Sequence, residues 1–208
     1  MAIGTYAELQ TAVANWLDRD DLGDRIPEFI ALAEARMNRV FRLRLMEAKY
    51  TASTVAGQRN LALPTGYLQM RNLQINTTPI RPCQYVTPEI YDRLYGSTST
   101  GTPEIYTIIA GELQLGPIPA SVQTIEMLFY KKIAALSVSN TTEAMLTDNP
   151  DVYLYGALLE AEPFLMNDER LGIWAQGFQQ SIENLQDQDA KDRHSGSALR
   201  VMNTSGYP

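Results

Sequence analysis

Apolar side chains recur every three to four residues near both ends of the chain, the spacing expected of helices with one buried stripe. Near the beginning, this pattern predicts a helix over residues 5–18 and a second over about residues 26–43. Near the end, it predicts helices over residues 150–165 and about residues 168–189. We therefore expect one pair of helices at each end of the chain.

Local signals at the helix ends agree with these boundaries. Thr5 followed by Glu8 is the pattern of a capping box, in which each side chain accepts a hydrogen bond from a free backbone N–H. Asp24 can cap the second helix. Trp16 and Trp174 lie on the apolar sides of their helices, so we expect both to be at least partly buried.

Between residues 49 and 132 the pattern changes to short apolar runs separated by turn residues, which is typical of strands. One segment differs, because Thr87, Pro88 and Glu89 are typical of a helix start and Gly96 of a helix end. The middle of the chain is therefore predicted to be a small antiparallel β module with one short helix. The candidate strands are KYTASTV, RNLAL, LQMRNLQI, IRPCQYV, EIYTII, ELQL and QTIEMLFYK.

Two helical pairs on either side of a β segment predict an α+β protein. Helices this short do not bury an amphipathic stripe alone, so we expect the pairs to pack together as a four-helix bundle. Residues 1–46 and 136–190 are assigned to the bundle, and residues 47–135 to the inserted β module. Residues 191–208 show no period and are predicted to be extended or flexible.

Composition limits the class of protein. The chain has 208 residues, of which 45% are apolar and 20% charged, and this is enough to bury a core. It contains no apolar run of the roughly 18 to 20 residues that a membrane span needs, and no pattern of a signal peptide. Its single cysteine, Cys83, and single histidine, His194, exclude an internal disulfide and a zinc site of Cys and His ligands. We expect no metal, no cofactor and no membrane partner.

Charge is divided unevenly along the chain. The formal net charge is −7, which argues against a surface that wraps nucleic acid. Residues 1–35 carry seven acidic and two basic side chains, residues 36–93 carry three and nine, and residues 94–208 carry fourteen and six. A basic middle between acidic ends favours self-association or a charged partner, although solvated faces of mixed sign have the same pattern.

Glu160 and Glu162 lie among apolar residues, where a buried carboxyl group can be tuned for proton transfer. Two positions apart on a helix, however, they point to different sides and do not converge on one bond. No phosphate-binding loop or other catalytic set is recognisable in the sequence. The pattern therefore favours a packed helix, and we predict that the protein is not an enzyme.

Arg36, Arg39 and Arg42 recur every three residues in the run RMNRVFRLR. Such a run is most often a solvated or salt-bridged face. Contact with phosphate groups is an alternative, but Phe41 is the only aromatic residue among the arginines that could stack on a base. A second alternative is contact with acidic residues of a neighbouring subunit, so the three arginines are candidates for contact between subunits.

Five segments carry a family resemblance. They are TYAELQTAVANWLDRDDL, IPEFIALAEARMNR, ALPTGYLQMRNLQI, TIIAGELQLGPIP and DVYLYGALLEAEPFLMNDERLGIWAQGFQQSIENLQ. In this order, and together covering most of residues 5–189, they resemble the head-to-tail adaptor proteins of tailed, mostly short-tailed, bacteriophages, also called connector or neck-ring proteins. No single segment is a signature by itself.

The resemblance implies a structural virion protein that is made in the host cytoplasm and located in the neck. Such adaptors form a homo-oligomeric ring, usually of twelve subunits, which lies below the portal protein and seals or extends the DNA channel. Genomic DNA passes through the ring without sequence-specific binding, and tail or nozzle proteins attach below it. The C-terminal tail tends to be extended against the portal. In this chain, the candidate docking residues of that tail are Arg193, Leu199, Arg200, Val201, Met202 and Tyr207.

Two other functions remain open from the sequence. A nucleic-acid-binding packaging factor is motivated by the run of arginines, and it would bind DNA in a salt-dependent way. A cell-wall hydrolase is motivated by the acids near Glu160 and is the less favoured of the two.

Overall fold

The computed structural model describes residues 3–95, 99–166 and 168–193, except for the side chains of residues 168 and 169. In this part of the chain the protein is mixed α+β, with six α-helices and three β-sheets, so the predicted class is confirmed. The helices are α1 (Tyr6–Leu17), α2 (Ile26–Val40), α3 (Pro88–Tyr95), α4 (Ala144–Asp148), α5 (Pro150–Leu165) and α6 (Asp168–Arg193). The described residues fall in two compact units. Residues up to Leu45 and from Ile133 onward form the helical unit, and Met46–Lys132 form the β unit.

The ends of α1 follow from local hydrogen bonds. The Thr5 hydroxyl accepts a hydrogen bond from the Glu8 N–H, and the Glu8 carboxylate accepts one from the Thr5 N–H, which confirms the capping box. Asp18 closes the helix in the left-handed conformation. Helix α2 ends at Val40, three residues before the predicted end, because Phe41 adopts an extended conformation and is fully buried.

Helix α5 is the helix that the others in this unit share, because it packs against α1, α2, α4 and α6. Its buried positions cover most of the helix surface rather than one narrow stripe, and they include Tyr153, Leu154, Ala157 and Leu158. Gly156 allows close approach, since a Cβ atom there would lie 3.1 Å from the Phe178 ring on α6. The same atom would lie 3.2 Å from the Ala33 Cβ on α2.

Two helical features of this unit differ from prediction. The short helix α4 was not predicted, because its five residues lie in a polar segment and are too few to show a period. Helix α6 continues through Arg193, so residues 191–193 of the predicted extended tail are helical. Asp189 and Arg193 form an ion pair one turn apart, which supports this last turn.

The β unit contains three sheets with the strand orders β1-β10-β3-β4, β2-β8-β7-β5 and β6-β9. Strands β7 and β8 form a hairpin in which Ala110 and Gly111 both have positive φ, as a two-residue type I′ turn requires. The strands are β1 (Glu47–Ser53), β2 (Asn60–Ala62), β3 (Tyr67–Ile75), β4 (Arg81–Pro82), β5 (Gln84–Tyr85), β6 (Thr100–Gly101), β7 (Ile105–Ile109), β8 (Glu112–Gly116), β9 (Ile118–Pro119) and β10 (Thr124–Lys131).

The β unit is not wholly antiparallel, so that part of the prediction is wrong. Strand β5 pairs with β7 in parallel, and β6 pairs with β9 in parallel. A parallel pair needs a long connection between its strands, and α3 lies in the connection from β5 to β7. The remaining ladders are antiparallel. They include the pairing of β10 with β1 and β3, and that of β8 with β2 and β7.

The core of the β unit lies between residues of β3, β8 and β10. Leu73, Ile75, Leu113, Ile125 and Met127 are all fully buried there. Helix α3 is held by its own buried residue, Tyr91, whose hydroxyl donates a hydrogen bond to the Leu115 carbonyl at 2.8 Å.

The central position of α5 leads to a stability prediction. Leu158 is fully buried, so Leu158→Ala should lower the free energy of unfolding by about 2 to 5 kcal/mol through lost burial and the cavity left behind. Leu32→Ala is the matched control, because Leu32 lies on α2 with 51% of its surface exposed. This substitution should lower the free energy of unfolding by less than about 1 kcal/mol. Urea denaturation followed by circular dichroism measures both, and equal costs would contradict the central role of α5.

Candidate interaction surfaces

Glu160 and Glu162 have separate partners in the helical unit. Glu162 is buried, and its Oε1 accepts a hydrogen bond of 2.6 Å from the indole Nε1–H of Trp174. Glu160 Oε1 lies 2.5 Å from the Arg36 guanidinium on α2. The two carboxylates therefore diverge, as their spacing predicts, and each supports contact between helices.

Three aromatic rings meet where α1, α5 and α6 come together. The Trp16 ring lies 5.8 Å from the Tyr155 ring and 5.6 Å from the Trp174 ring, measured between centroids. Both tryptophans are at least partly buried as predicted, but unequally, since 9% of Trp174 and 44% of Trp16 is exposed. Ile173 is 64% exposed and lies one helical turn before Gly177, whose Cβ position would be 3.1 Å from Tyr155. We call Trp16, Tyr155, Ile173 and Trp174 the aromatic face.

A groove of about 550 Å³ lies along the other flank of α6, between α6 and α2. Arg39 is exposed at this groove and makes no ion pair with any residue that the structure describes. Val40 beside it is 49% exposed, whereas Phe178 and Ile182 from α6 are buried. We call this feature the arginine groove, and it is lined by Arg36, Arg39, Val40, Leu159, Ala175, Phe178, Gln179, Ile182 and Gln186.

Arg42, the third arginine of the run, lies beyond the groove at the end of α2. Its guanidinium donates hydrogen bonds to the backbone carbonyls of Asn38, in the last turn of α2, and of Phe41, the residue that follows the helix. The structure therefore brings Arg36 and Arg39 together at one surface, while Arg42 closes the helix. A role of the three arginines between subunits stays a prediction.

Of the predicted docking residues in the tail, only Arg193 is described. It pairs with Asp189 at 2.8 Å and donates a hydrogen bond to the Arg42 carbonyl at 3.3 Å. Asp189 also accepts a hydrogen bond from the Arg44 N–H. Arg193 is thus held within the helical unit. The other docking candidates, Leu199, Arg200, Val201, Met202 and Tyr207, lie outside the described residues.

Sequence reasoning missed a buried acid on α2. Glu34 is 5% exposed, and its Oε1 accepts a hydrogen bond of 2.8 Å from the Leu136 N–H. One turn later, Asn38 Oδ1 accepts a hydrogen bond of 2.8 Å from the Ile133 N–H. These two side chains hold the extended segment that follows β10. The signal was present in the sequence, because Glu34 follows Ala33 and precedes Met37 on the apolar stripe of α2.

Burial raises the pKa of Glu34 from 4.5 to about 7. The hydrogen bond from the Leu136 N–H opposes this effect by favouring the ionised form, and the negative charge of Glu143 adds to the rise. The phenol of Tyr153 is fully buried nearby, and its pKa is raised by burial and by the charges of Glu34 and Glu143. Glu34 is a structural support, because it is buried and holds the Leu136 N–H.

The β unit offers a smaller surface. A cleft of about 470 Å³ is lined by residues of β3, β5 and β7, including Tyr67, Tyr85 and Tyr106. The rings of Tyr85 and Tyr106 lie 5.5 Å apart, and Tyr85 is 56% exposed. These aromatic side chains are suited to contact with another protein.

No arrangement for catalysis is assembled within the described ranges. Burial raises the pKa of the Cys83 thiol to about 11, so this sulfur is not a ready nucleophile near neutral pH. Among the described residues, no three side chains of His, Cys, Asp or Glu are grouped to hold a metal ion. Within the same ranges, none of the helices combines the length and apolar character needed to cross a bilayer.

Comparison with known proteins identifies a family. The family model described as SU10 adaptor protein matches residues 4–202, which is nearly the whole chain. None of the curated proteins compared with the chain matches it.

The pH dependence of stability should reflect Glu34. Because its folded pKa of about 7 exceeds the ordinary value of 4.5, the folded state holds a proton that the unfolded state loses between these values. The free energy of unfolding should therefore fall as pH rises through this window. Glu34→Gln removes the titration, so its stability relative to the wild type should increase by about 1 to 3 kcal/mol from pH 5 to pH 8. Urea denaturation at each pH measures the difference.

Glu183→Gln, at an exposed position on α6, is the control for removing one negative charge. A difference between Glu34→Gln and wild type that stays constant with pH would show that the buried carboxyl does not titrate as inferred.

The hydrogen bond between Trp174 and Glu162 should be a coupled pair. Trp174→Phe leaves the buried carboxylate of Glu162 without its indole donor. It should lower the free energy of unfolding by about 1 to 3 kcal/mol more than the loss of ring size alone would. Glu162→Leu leaves the indole N–H without its acceptor. The double variant removes both polar groups and should be more stable than the sum of the two single losses predicts. Thermal and urea unfolding of all four proteins gives the coupling, and additive losses would refute it.

Proposed function

The chain belongs to the SU10 adaptor protein family, and from this membership we propose that it is a structural head-to-tail adaptor of a bacteriophage virion. The observation that carries the proposal is the length of the family match, which spans residues 4–202 and therefore both units of the fold. A match of this extent includes the helices, the inserted β strands and most of the C-terminal segment. Nearly the whole chain, rather than one grafted motif, has the family pattern.

We propose further that copies of the chain form a ring, usually of twelve subunits, below the portal protein. The helical unit would act in the ring as a four-helix bundle of α1, α2, α5 and α6, and the inserted β unit as a second structural domain. Genomic DNA would pass through the channel without sequence-specific contacts, and tail or nozzle proteins would attach below. The exposed aromatic face and arginine groove support an assembling subunit, since exposed apolar surface on a folded protein marks contact sites.

The arginine run supports assembly better than nucleic-acid recognition. Arg36 is neutralised by Glu160, and Arg42 is engaged with the end of its own helix, which leaves Arg39 as the exposed charge at the groove. A protein that wraps DNA needs many phosphate contacts, and the net charge of −7 opposes them. We propose no enzymatic activity and no cofactor.

The portal-docking segment is proposed to begin after Arg193. Arg193 itself is engaged with Asp189 and with the Arg42 carbonyl, so it anchors the end of α6 rather than a partner. The apolar residues Leu199, Val201 and Met202 then follow among small polar residues. An extended segment of this composition suits a cleft between portal subunits, where backbone hydrogen bonds and alternate side chains both contribute.

Removing residues 194–208 should separate folding from attachment. The truncated protein keeps α6 with its Arg193 contacts, so its thermal unfolding should match that of the full chain within about 1 kcal/mol. Added to purified DNA-filled heads that lack the adaptor, the full chain should bind and complete the neck, as seen by electron microscopy. The truncated chain should fail to remain bound, because the docking contacts are lost.

Two outcomes would contradict these proposals separately. If the full chain does not bind the heads, the adaptor function is wrong. If both chains complete heads equally well, the adaptor function stands and the docking role of the tail is wrong. A variant with residues 194–208 replaced by a Gly/Ser segment of equal length controls for the presence of a tail alone.

A further inference from the structure

We propose that the aromatic face of one copy of this chain packs against the arginine groove of the next copy, so that the two flanks of α6 are the two halves of one interface. The inference rests on the proposed assembly of the adaptor, and it names the surfaces that would make that assembly.

The two surfaces lie on opposite flanks of one helix. With 3.6 residues per turn, Ile173 and Gly177 on α6 are about half a turn away from Gln179 and Gln186. The contacts agree with this geometry, because Gly177 faces Tyr155 beside α1, whereas Gln179 and Gln186 line the groove beside α2. A copy that uses both flanks therefore binds a different neighbour on each side.

The surfaces are also complementary in shape and polarity. The aromatic face presents large apolar groups to solvent, chiefly Trp16 and Ile173. The groove is concave, with the apolar side chains of Phe178 and Ile182 on its wall and the half-exposed Val40 at its rim. An exposed indole that enters such a groove buries much of its ring, which is the usual behaviour of an interface anchor.

Charge points to the same pairing. The turn that directly follows Trp16 on α1 carries the exposed acids Asp18, Asp20, Asp21 and Asp24, of which Asp21 pairs with Arg19. The groove carries Arg39 at its edge. The acidic rim beside the aromatic face attracts Arg39, whereas two copies of the aromatic face would bring like charges together. The groove itself has mixed charge, because Glu183 accepts a hydrogen bond from its lining residue Gln179.

Unlike halves make the contact heterologous, so each added copy leaves one face and one groove open at the ends. Such contacts continue until the rotation between copies closes a ring. An acidic rim disfavours DNA and anionic membranes as occupants of the aromatic face, because both carry negative charge.

The test uses two variants, each altered on one surface at exposed positions. The face variant combines Ile173→Lys with Asp20→Lys, and the groove variant combines Arg39→Glu with Val40→Glu. Val122→Lys and Arg81→Glu, both exposed in the β unit, are the matched controls. Circular dichroism and thermal unfolding confirm that each variant is folded, and mass photometry over a range of concentrations measures assembly.

Each surface variant alone should need at least about tenfold more protein than the wild type to assemble, whereas the controls should assemble like the wild type. An equimolar mixture of the two variants should form heterodimers and stop there. The face variant still has an intact groove and the groove variant an intact face, but neither can add a third copy.

Other results would overturn the pairing. Wild-type assembly by either variant alone, or a mixture without heterodimers, would show that these surfaces are not the two halves. A wild-type chain that stays monomeric at every concentration would also contradict the pairing of these surfaces. The adaptor function is decided independently, by whether the full chain attaches to heads. Unchanged assembly of the groove variant with loss of binding to a short DNA duplex or to anionic vesicles would assign the groove to that ligand instead.

Discussion

The arrangement of the helical unit depends on one constraint, which is that α5 must bury most of its surface and leaves only one narrow row of residues, including Tyr155 and Leu159, partly open to water. Its buried residues cover most of the helix surface, so α1, α2, α4 and α6 must cover it from different directions. Gly156 sets how closely two of these helices approach, because Phe178 and Ala33 lie where its side chain would be. A larger residue there would push α2 and α6 apart and widen the groove between them.

The polar groups of this unit lie at the seams between the covering helices. Glu162 receives the indole N–H of Trp174, and Glu160 receives the Arg36 guanidinium. A buried ion pair or acid contributes little net stability, but an unmatched partner is costly. Wrong pairings of the helices would leave these groups unmatched, so we infer that they select one arrangement among the ways in which apolar helices can cover α5.

Sequence patterns predicted the features that depend on local chemistry. The capping box at Thr5, the bounds of α5 and the short helix α3 all follow from side chains within a few positions of one another. The features that were missed depend on distant residues. The parallel pairing of β5 with β7 is decided by the path of the chain over α3, and the burial of Glu34 by the Leu136 N–H, which is far away in sequence. A lone acid on the apolar stripe of α2 was the one signal that could have indicated it.

The same distinction applies to the interaction surfaces. The sequence singled out Arg36, Arg39 and Arg42 by their spacing, but spacing does not show which charges are already matched. In the folded chain, Arg36 pairs with Glu160, and Arg42 donates a hydrogen bond to the Asn38 carbonyl of α2. Arg39 is therefore the charge that remains at the groove. Because α6 separates this groove from the exposed Trp16, the burial of α5 leaves two unlike surfaces on opposite flanks of one helix. We propose that each copy joins its two neighbours through these unlike surfaces, a heterologous contact of the kind that closes into a ring when the rotation between copies allows it.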